Sequence, residues 1–425
     1  MKPETIALHE GYDGDPATHA ATTPIYQTTS YTFDNTQHGA DLFNLAVPGN
    51  IYSRIMNPTN AVLEARLTAL EGGVGALALA SGMAAIRYAI ETIAGQGDNI
   101  ISTSQLYGGT YNLFAHTFPR QGIEVRMAAA DDLEKVKSLI DDSTKALYCE
   151  SIGNPAGNIV DISAWADIAH EAGIPLMVDN TVATPLLCRV FDYGADISIH
   201  SLTKYIGGHG TTIGGAIIDS GKFDWAAHKA RFPIMNTPDP SYHGVVYTEA
   251  LGEAAFIGRA RVVPLRNTGA ALSAQSAFQI MQGLETLALR MERHCENTEH
   301  VAAYLANHEA VNWVNYAALP DSPYKATCEK ICGGKASGIL SFGIKGGAEA
   351  GAKFIDALQL ILRLVNIGDA KSLACHPATT THRQLNAAEL ASAGVSEDLV
   401  RLSIGIEHID DILADVSQAL LASQT

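Results

Sequence analysis

Apolar runs long enough to cross a bilayer are missing from this chain: nowhere in its 425 residues do about 18 follow one another. No membrane partner is expected. The opening MKPETIALHEGYDGD also lacks the apolar core of a secretory leader, so a cytoplasmic protein is expected. Cysteine is scarce. Cys149, Cys188, Cys295, Cys328, Cys332 and Cys375 are scattered, unlike a disulfide framework, and suit reduced core positions. Cys328 and Cys332 stand close together without a second Cys or His pair, and His209, His376 and His382 have no ligand spacing, so no metal is expected. Basic residues are outnumbered: 45 acidic against 28 basic side chains give a formal charge of −17, which repels phosphate backbones and excludes nucleic acid as a probable partner class.

What is present is an ordinary globular composition, 47% hydrophobic, enough over this length for more than one buried core. Residues 1–60 are rich in Thr, Tyr, Asn and Gly with little periodicity, and are expected to form an arm lying on another surface. From Asn60 the pattern changes. AVLEARLTALEGG carries Leu63, Leu67 and Leu70 at helical spacing, with Thr59 as the expected N-cap and Gly72 as the stop. Short apolar runs then alternate with helical ones: 99–101, 146–149, 175–178 and 196–199 are expected strands, and 162–172 a helix closed by Gly173. This rhythm predicts an α/β fold with a mostly parallel sheet, covered on both faces, over residues 61–265. Residues 266–425 read as a smaller C-terminal α/β domain: a helical stretch over 277–307, a strand at GILSFGI, a helix over GAKFIDALQLILRLV, a strand at VRLSIGIEH and a terminal helix.

Two polar residues stand where a core has no use for them. Asp179 follows Leu176, Met177 and Val178, and Lys204 follows the run through Ile197 and Ile199 at the threshold of a glycine-rich turn. In parallel sheets, ligands collect beyond the carboxyl ends of the strands. Ser201 and Thr203 put hydroxyls beside the amine, and Ser81-Gly82-Met83 is a small-residue turn opening the helical MAAIRYAIETIA, whose free N–H groups suit a phosphate. Tyr107, in QLYGGTY, offers an aromatic face. An amine able to condense with an aldehyde, a carboxylate to keep a pyridine nitrogen protonated and a phosphate seat between them describe a site for pyridoxal 5'-phosphate.

At these residues the chain resembles the Cys/Met-metabolism family of pyridoxal-phosphate enzymes, over essentially its whole length. The segments NIYSRIMNPT, ASGMAAI, YGGTYNLF, VDNTVATP, HSLTKYIGGHG, PDPSYHG and QGLETLALRMERH are most like the O-acetylhomoserine sulfhydrylase branch. The resemblance implies the aspartate-aminotransferase type fold (fold type I). It also implies that Lys204 holds the cofactor covalently and moves protons, that Asp179 pairs with the ring nitrogen, and that Tyr107 stacks on the ring and aids acid/base transfer. Gly82, Met83, Ser201 and Thr203 match phosphate contacts, and Asn154, in SIGNP, matches the contact to the phenolic oxygen. Tyr52 and Arg54 match residues that reach the cofactor phosphate of a neighbouring subunit, Tyr52 also toward substrate, which implies an oligomer, a homotetramer built from dimers that share their sites.

In VRLSIGIEH the apolar Val400, Leu402 and Ile404 alternate with Arg401, Ser403 and Gly405, so Arg401 points off the core-facing side of its strand. The resemblance makes it the two-pronged clamp for an amino-acid carboxylate, work suited to a guanidinium. Asn366 stands where several relatives have serine, and is assigned to the substrate pocket. The γ-lyase branch carries a cysteine soon after its ring-stacking tyrosine, whereas Gly108, Gly109 and Thr110 follow Tyr107 here, which argues against plain γ-lyase activity. The implied reaction is γ-replacement on O-acetyl-L-homoserine by sulfide or methanethiol, giving homocysteine or methionine and acetate. Cystathionine γ-synthase and methionine γ-lyase type activities are the alternatives.

Overall fold

A computed structural model of the chain describes residues 1–44, 46–380 and 394–425. Its central element is a seven-stranded sheet of β1 (Gly75–Leu79), β2 (Asn99–Thr103), β3 (Glu124–Ala128), β4 (Thr144–Glu150), β5 (Leu176–Asp179), β6 (Ile197–His200) and β7 (Gly215–Asp219). The spatial order is β1-β7-β6-β5-β4-β2-β3, and every pairing is parallel except the two that β7 makes. β2, β6 and β7 are buried at every position, as strands covered by helices on both faces must be. β2, β4, β5 and β6 fall on the four expected runs. β1, β3 and β7 were not foreseen: GALAL and GAIID are short and glycine-led, and β3 is a half-exposed edge strand whose EVRMA is mixed in polarity. Because β7 alone runs backwards, the carboxyl ends of the other six strands open on one side of the sheet.

The helix Pro58–Glu71 is capped by Asn57, not by Thr59: the Asn57 side chain accepts from the Thr59 N–H at 2.9 Å, and Pro58 takes the first helical position, where a missing N–H costs nothing. Thr59 is thereby released for the arm. Its hydroxyl donates to the Pro24 carbonyl at 2.8 Å and accepts from the Tyr26 N–H at 2.9 Å.

The stretch expected as one helix is two, Ala274–Glu285 and Leu287–Ala306. The break has a tertiary cause. The Gly283 carbonyl, which a continuous helix would offer to Leu287, accepts instead from the Arg290 guanidinium at 2.6 Å, and the same guanidinium takes the carbonyls of Tyr205 and Ile206 at 2.6 and 3.2 Å. Likewise the helix expected over GAKFIDALQLILRLV ends at Ala357. The Asp415 carboxylate, from the terminal helix Ile409–Ser423, accepts the N–H groups of Gln359, Leu360 and Ile361 at 2.8–2.9 Å and takes them away from helical carbonyls.

Strands before and after the helix that ends at Ala357 form a second, five-stranded sheet of β8 (Val311–Asn315), β9 (Ile339–Ile344), β10 (Leu362–Arg363), β11 (Leu373–Cys375) and β12 (Leu399–Ser403), ordered β10-β11-β12-β9-β8. Its pairings are antiparallel except β10 with β11. β9 and β12 are buried at every position, so β12 has no solvent face onto which Arg401 could turn. No described helix is long and apolar enough to cross a membrane.

Candidate active site

A cavity of about 220 Å³ lies beyond the carboxyl ends of β4, β5 and β6, and β12 and the segment before β11 close it from the other side. Gly82, Met83, Tyr107, Asn154, Asp179, Ser201, Thr203, Lys204, Asn366 and Arg401 all line it. Tyr52 and Arg54 do not. They lie in an exposed groove between the arm and residues 271–274, with the Arg54 guanidinium 5.2 Å from the centre of the Tyr52 ring.

The first wall is built at strand ends. Ser81, past β1, caps the helix Gly82–Glu91 by accepting the Ala84 N–H at 3.1 Å, which leaves the N–H groups of the first turn facing the cavity rim. Only glycine fits at 82: a Cβ there would stand 2.7 Å from that of Ser201. The Ser201 N–H donates to the Thr181 hydroxyl at 2.8 Å, and the Thr203 hydroxyl is held by both backbone groups of Gly214 at 3.1–3.2 Å. Helix N–H groups and hydroxyls gathered in this way form an anion seat. Tyr107 begins the helix Gly108–Asn112 and lies over Gly109, where a Cβ would meet its ring at 2.5 Å.

The acids occupy the middle strands. Asp179 ends β5, accepts the Thr181 N–H at 3.0 Å and faces the Tyr148 hydroxyl at 3.4 Å; burial pushes its proton affinity above the ordinary carboxylate value. Its register partner on β4 is Glu150. This second carboxylate was not among the expected site residues, although the run ALYCE signals it in the way LMVD signals Asp179. Glu150 is 5% exposed, accepts the Tyr107 N–H at 2.7 Å, and is pushed well above the carboxylate range by burial and then by the charge of Asp179.

The bases face them. The Lys204 amine is lowered to about 8, first by burial and then by the Arg401 cation, and donates to Asn366 Oδ1 at 2.6 Å. Arg401, 3% exposed, donates to Asn154 Oδ1 at 3.1 Å and to the Asn366 carbonyl at 2.9 Å, while its Nε–H has no partner. A buried guanidinium whose Nε–H is left without a partner beside a cavity is a carboxylate receptor in waiting. Among the remaining histidines, His209 is exposed and bonds the Gly207 carbonyl, His376 is buried against the Glu397 carbonyl, and His382 lies outside the described residues.

The cavity fits pyridoxal phosphate on its own chemistry: one amine of depressed basicity, a buried carboxylate opposite, a glycine-dependent helix start beside hydroxyls, and an aromatic ring between them. Comparison with known proteins agrees. Residues 4–421 match the family model described as Cys/Met metabolism PLP-dependent enzyme. The chain is 51% identical over 418 residues to a homocysteine synthase of Schizosaccharomyces pombe, covering 98% of this chain and 97% of that one. It is 50% identical over 429 residues to an O-acetyl-L-homoserine sulfhydrylase of Leptospira meyeri, covering 99% and 97%. A solved structure from Campylobacter jejuni, which carries N'-pyridoxyl-lysine-5'-monophosphate at its position 205, superposes with a TM-score of 0.96 at 44% identity over 99% of this chain and 100% of that one. With its fold, its cavity and its relatives in agreement, the chain belongs to the Cys/Met metabolism family of enzymes that depend on pyridoxal phosphate.

Proposed function

We propose that this enzyme exchanges the acetate of O-acetyl-L-homoserine for sulfide or methanethiol, forming homocysteine or methionine. The observation that carries the reading is the meeting, in one cavity, of the Lys204 amine with the Arg401 guanidinium and its unpartnered Nε–H, which suits an amino acid bound by its carboxylate with its α-carbon under a base. Relatives about half identical over their whole length are named for this chemistry.

Arg401 takes the α-carboxylate and so fixes which hydrogen of the α-carbon faces Lys204. Gly82, Met83, Ser201 and Thr203 hold the cofactor's phosphate, Asp179 its ring nitrogen and Asn154 its phenolic oxygen, with Tyr107 over the ring. Pyridoxal phosphate, when bound, supplies the electron withdrawal that acidifies the α-carbon. An amine lowered to about 8 is poised to take that proton near neutral pH and return it later. A β-proton is then taken up by a base of the cavity, acetate leaves from Cγ with the electron pair of its C–O bond, the thiolate adds at Cγ, and protons return to Cβ and Cα. Tyr107 lines the cavity and is 39% exposed, so its ring is open to solvent as well as to the site.

The arm suits an oligomer, proposed as a homotetramer of dimers with shared sites. Ile25, Tyr26, Phe33, Phe43 and Tyr52 are all exposed large residues, and Tyr52 and Arg54 sit outside their own cavity, as residues serving a second copy do. Six free, buried cysteines suit a reducing, cytoplasmic setting.

The test is a substrate panel: O-acetyl-L-homoserine, O-succinyl-L-homoserine and O-acetyl-L-serine, each with sulfide, methanethiol and cysteine, with products identified by mass spectrometry. Homocysteine or methionine with acetate is expected. Cystathionine as the main product, or 2-oxobutanoate released without any thiol, overturns the reading in favour of a cystathionine synthase or a γ-lyase.

A further inference from the structure

Asn366 touches both basic groups of the cavity with different atoms. Its side-chain Oδ1 accepts from Lys204 Nζ at 2.6 Å, and its main-chain oxygen accepts from Nη2 of Arg401 at 2.9 Å. On a guanidinium, Nη2 and Nε share one edge, and the Nε–H of Arg401 is buried without a partner. A carboxylate gripping that edge with both oxygens therefore meets the Asn366 carbonyl at Nη2. Asn366 lies in the short segment between β10 and β11, so both contacts are made by a single residue of one short segment.

We propose that Asn366 is a positioning residue that links the carboxylate-binding edge of Arg401 to the Lys204 amine, so that the arrival of an amino-acid carboxylate is felt at the base. The proposal deepens the reading of Arg401 as the carboxylate clamp and rests on it. An amide oxygen at this distance favours the charged amine, and it opposes the two influences that lower it, burial and the Arg401 cation. The other charged or titratable groups lining the cavity are Asp179 and Glu150 at the ends of β5 and β4, and Tyr107. All three belong to the large sheet's side, and the hydrogen bond to Asn366 joins the amine to the wall that carries Arg401.

The experiment is competitive labelling of the full-length, cofactor-free chain with limiting acetic anhydride across pH, the Lys204 peptide being quantified by mass spectrometry. Asn366→Ala is expected to move the labelling midpoint of Lys204 down by about one pH unit, and Asn366→Asp to move it up by about as much. Arg401→Lys keeps the charge but frees the Asn366 carbonyl. It is expected to shift the midpoint by about half a unit in the native background and hardly at all in the Asn366→Ala background. A midpoint that is the same with Asn, Ala and Asp at 366 overturns the proposal, as does an Arg401→Lys shift of equal size in both backgrounds. If Asn366→Ala does not fold, Asn366→Asp alone decides by the presence or absence of its upward shift. Failure of the underlying reading looks different: the Arg401→Lys holoenzyme would then keep its KM for O-acetylhomoserine whatever the labelling shows.

Discussion

The seven-stranded sheet serves the cavity from beyond its strand ends, whereas the five-stranded sheet serves it from within a strand. Asp179, Glu150 and the segment around Lys204 all stand where a buried strand of the first sheet stops, so that the core is complete without them and function is added at its margin. Arg401 instead occupies the middle of β12, a position buried like its neighbours Val400 and Leu402. Here function replaces core. The two walls differ in charge as well: the large sheet contributes acids raised by burial together with the Lys204 amine, the small one a cation that donates to an amide oxygen and a carbonyl and has the Cys375 thiol beside it. The comparison teaches that changes on the first wall should act on chemistry more than on folding, and changes on the second on binding.

The sharpest test of the first wall is Lys204→Ala, expected to cut acetate release from O-acetylhomoserine by about four orders of magnitude, the upper range for a general acid–base group, while far-ultraviolet circular dichroism stays unchanged. A loss under tenfold breaks the assignment of the base. On the second wall, Arg401→Lys is expected to raise the KM for O-acetylhomoserine by roughly tenfold or more while cofactor affinity stays near that of the parent. A disrupted charge-assisted pair costs on the order of 2–5 kcal/mol, and tenfold corresponds to about 1.4 kcal/mol. Weakened cofactor binding with an unchanged KM would reverse the roles of the two walls.

Glu150 probes the margin itself. Glu150→Ala removes the acceptor for the Tyr107 N–H and leaves that donor unsatisfied, an expected loss of about 1–3 kcal/mol in denaturant unfolding, whereas Glu150→Gln, which keeps an acceptor, should lose much less. Equal losses would mean that charge, and not the hydrogen bond, matters there.

The effect smallest at each step of measurement is in the pH dependence of the cofactor-free chain. The Lys204 amine is lowered from 10.5 to about 8 in the fold, so between those values the unfolded chain binds more protons than the folded one. Stability from this group therefore rises with pH across that window, by at most about 1.4 kcal/mol per pH unit, and the buried ammonium costs stability below it. Lys204→Met should flatten this rise in unfolding curves taken at pH 8, 9 and 10, and an unchanged slope would show that the amine titrates normally.

The sequence was most legible where function sits at the margin. An acid after LMV, a lysine after ISIHSLT and a serine-glycine pair before a helix are local breaks in pattern, and the cavity gathers all of them. Glu150 carries the same signal after ALYC, but only the register of β4 with β5 sets it beside Asp179. Arg401 was half legible: alternation gave its side of the strand, but only the helices and β9 around β12 reveal that both sides are covered. The helix break at Thr286 and the early stop at Ala357 were illegible because Arg290 and Asp415, distant side chains, take the backbone groups concerned. Tyr52 and Arg54 lie outside the cavity of their own chain, and no local pattern says whose cavity they serve.

Arg290 has one more consequence. A cation lowered to about 10 by burial is solvated by main-chain oxygens, two of which belong to the residues directly after the base, Tyr205 and Ile206. The backbone behind Lys204 is in effect moored to a helix from a later part of the chain. Whatever distance the amine travels during turnover is then covered by rotation about the bonds of its own side chain, an excursion of a few ångströms on the fast timescale of rotamer changes and without loop opening.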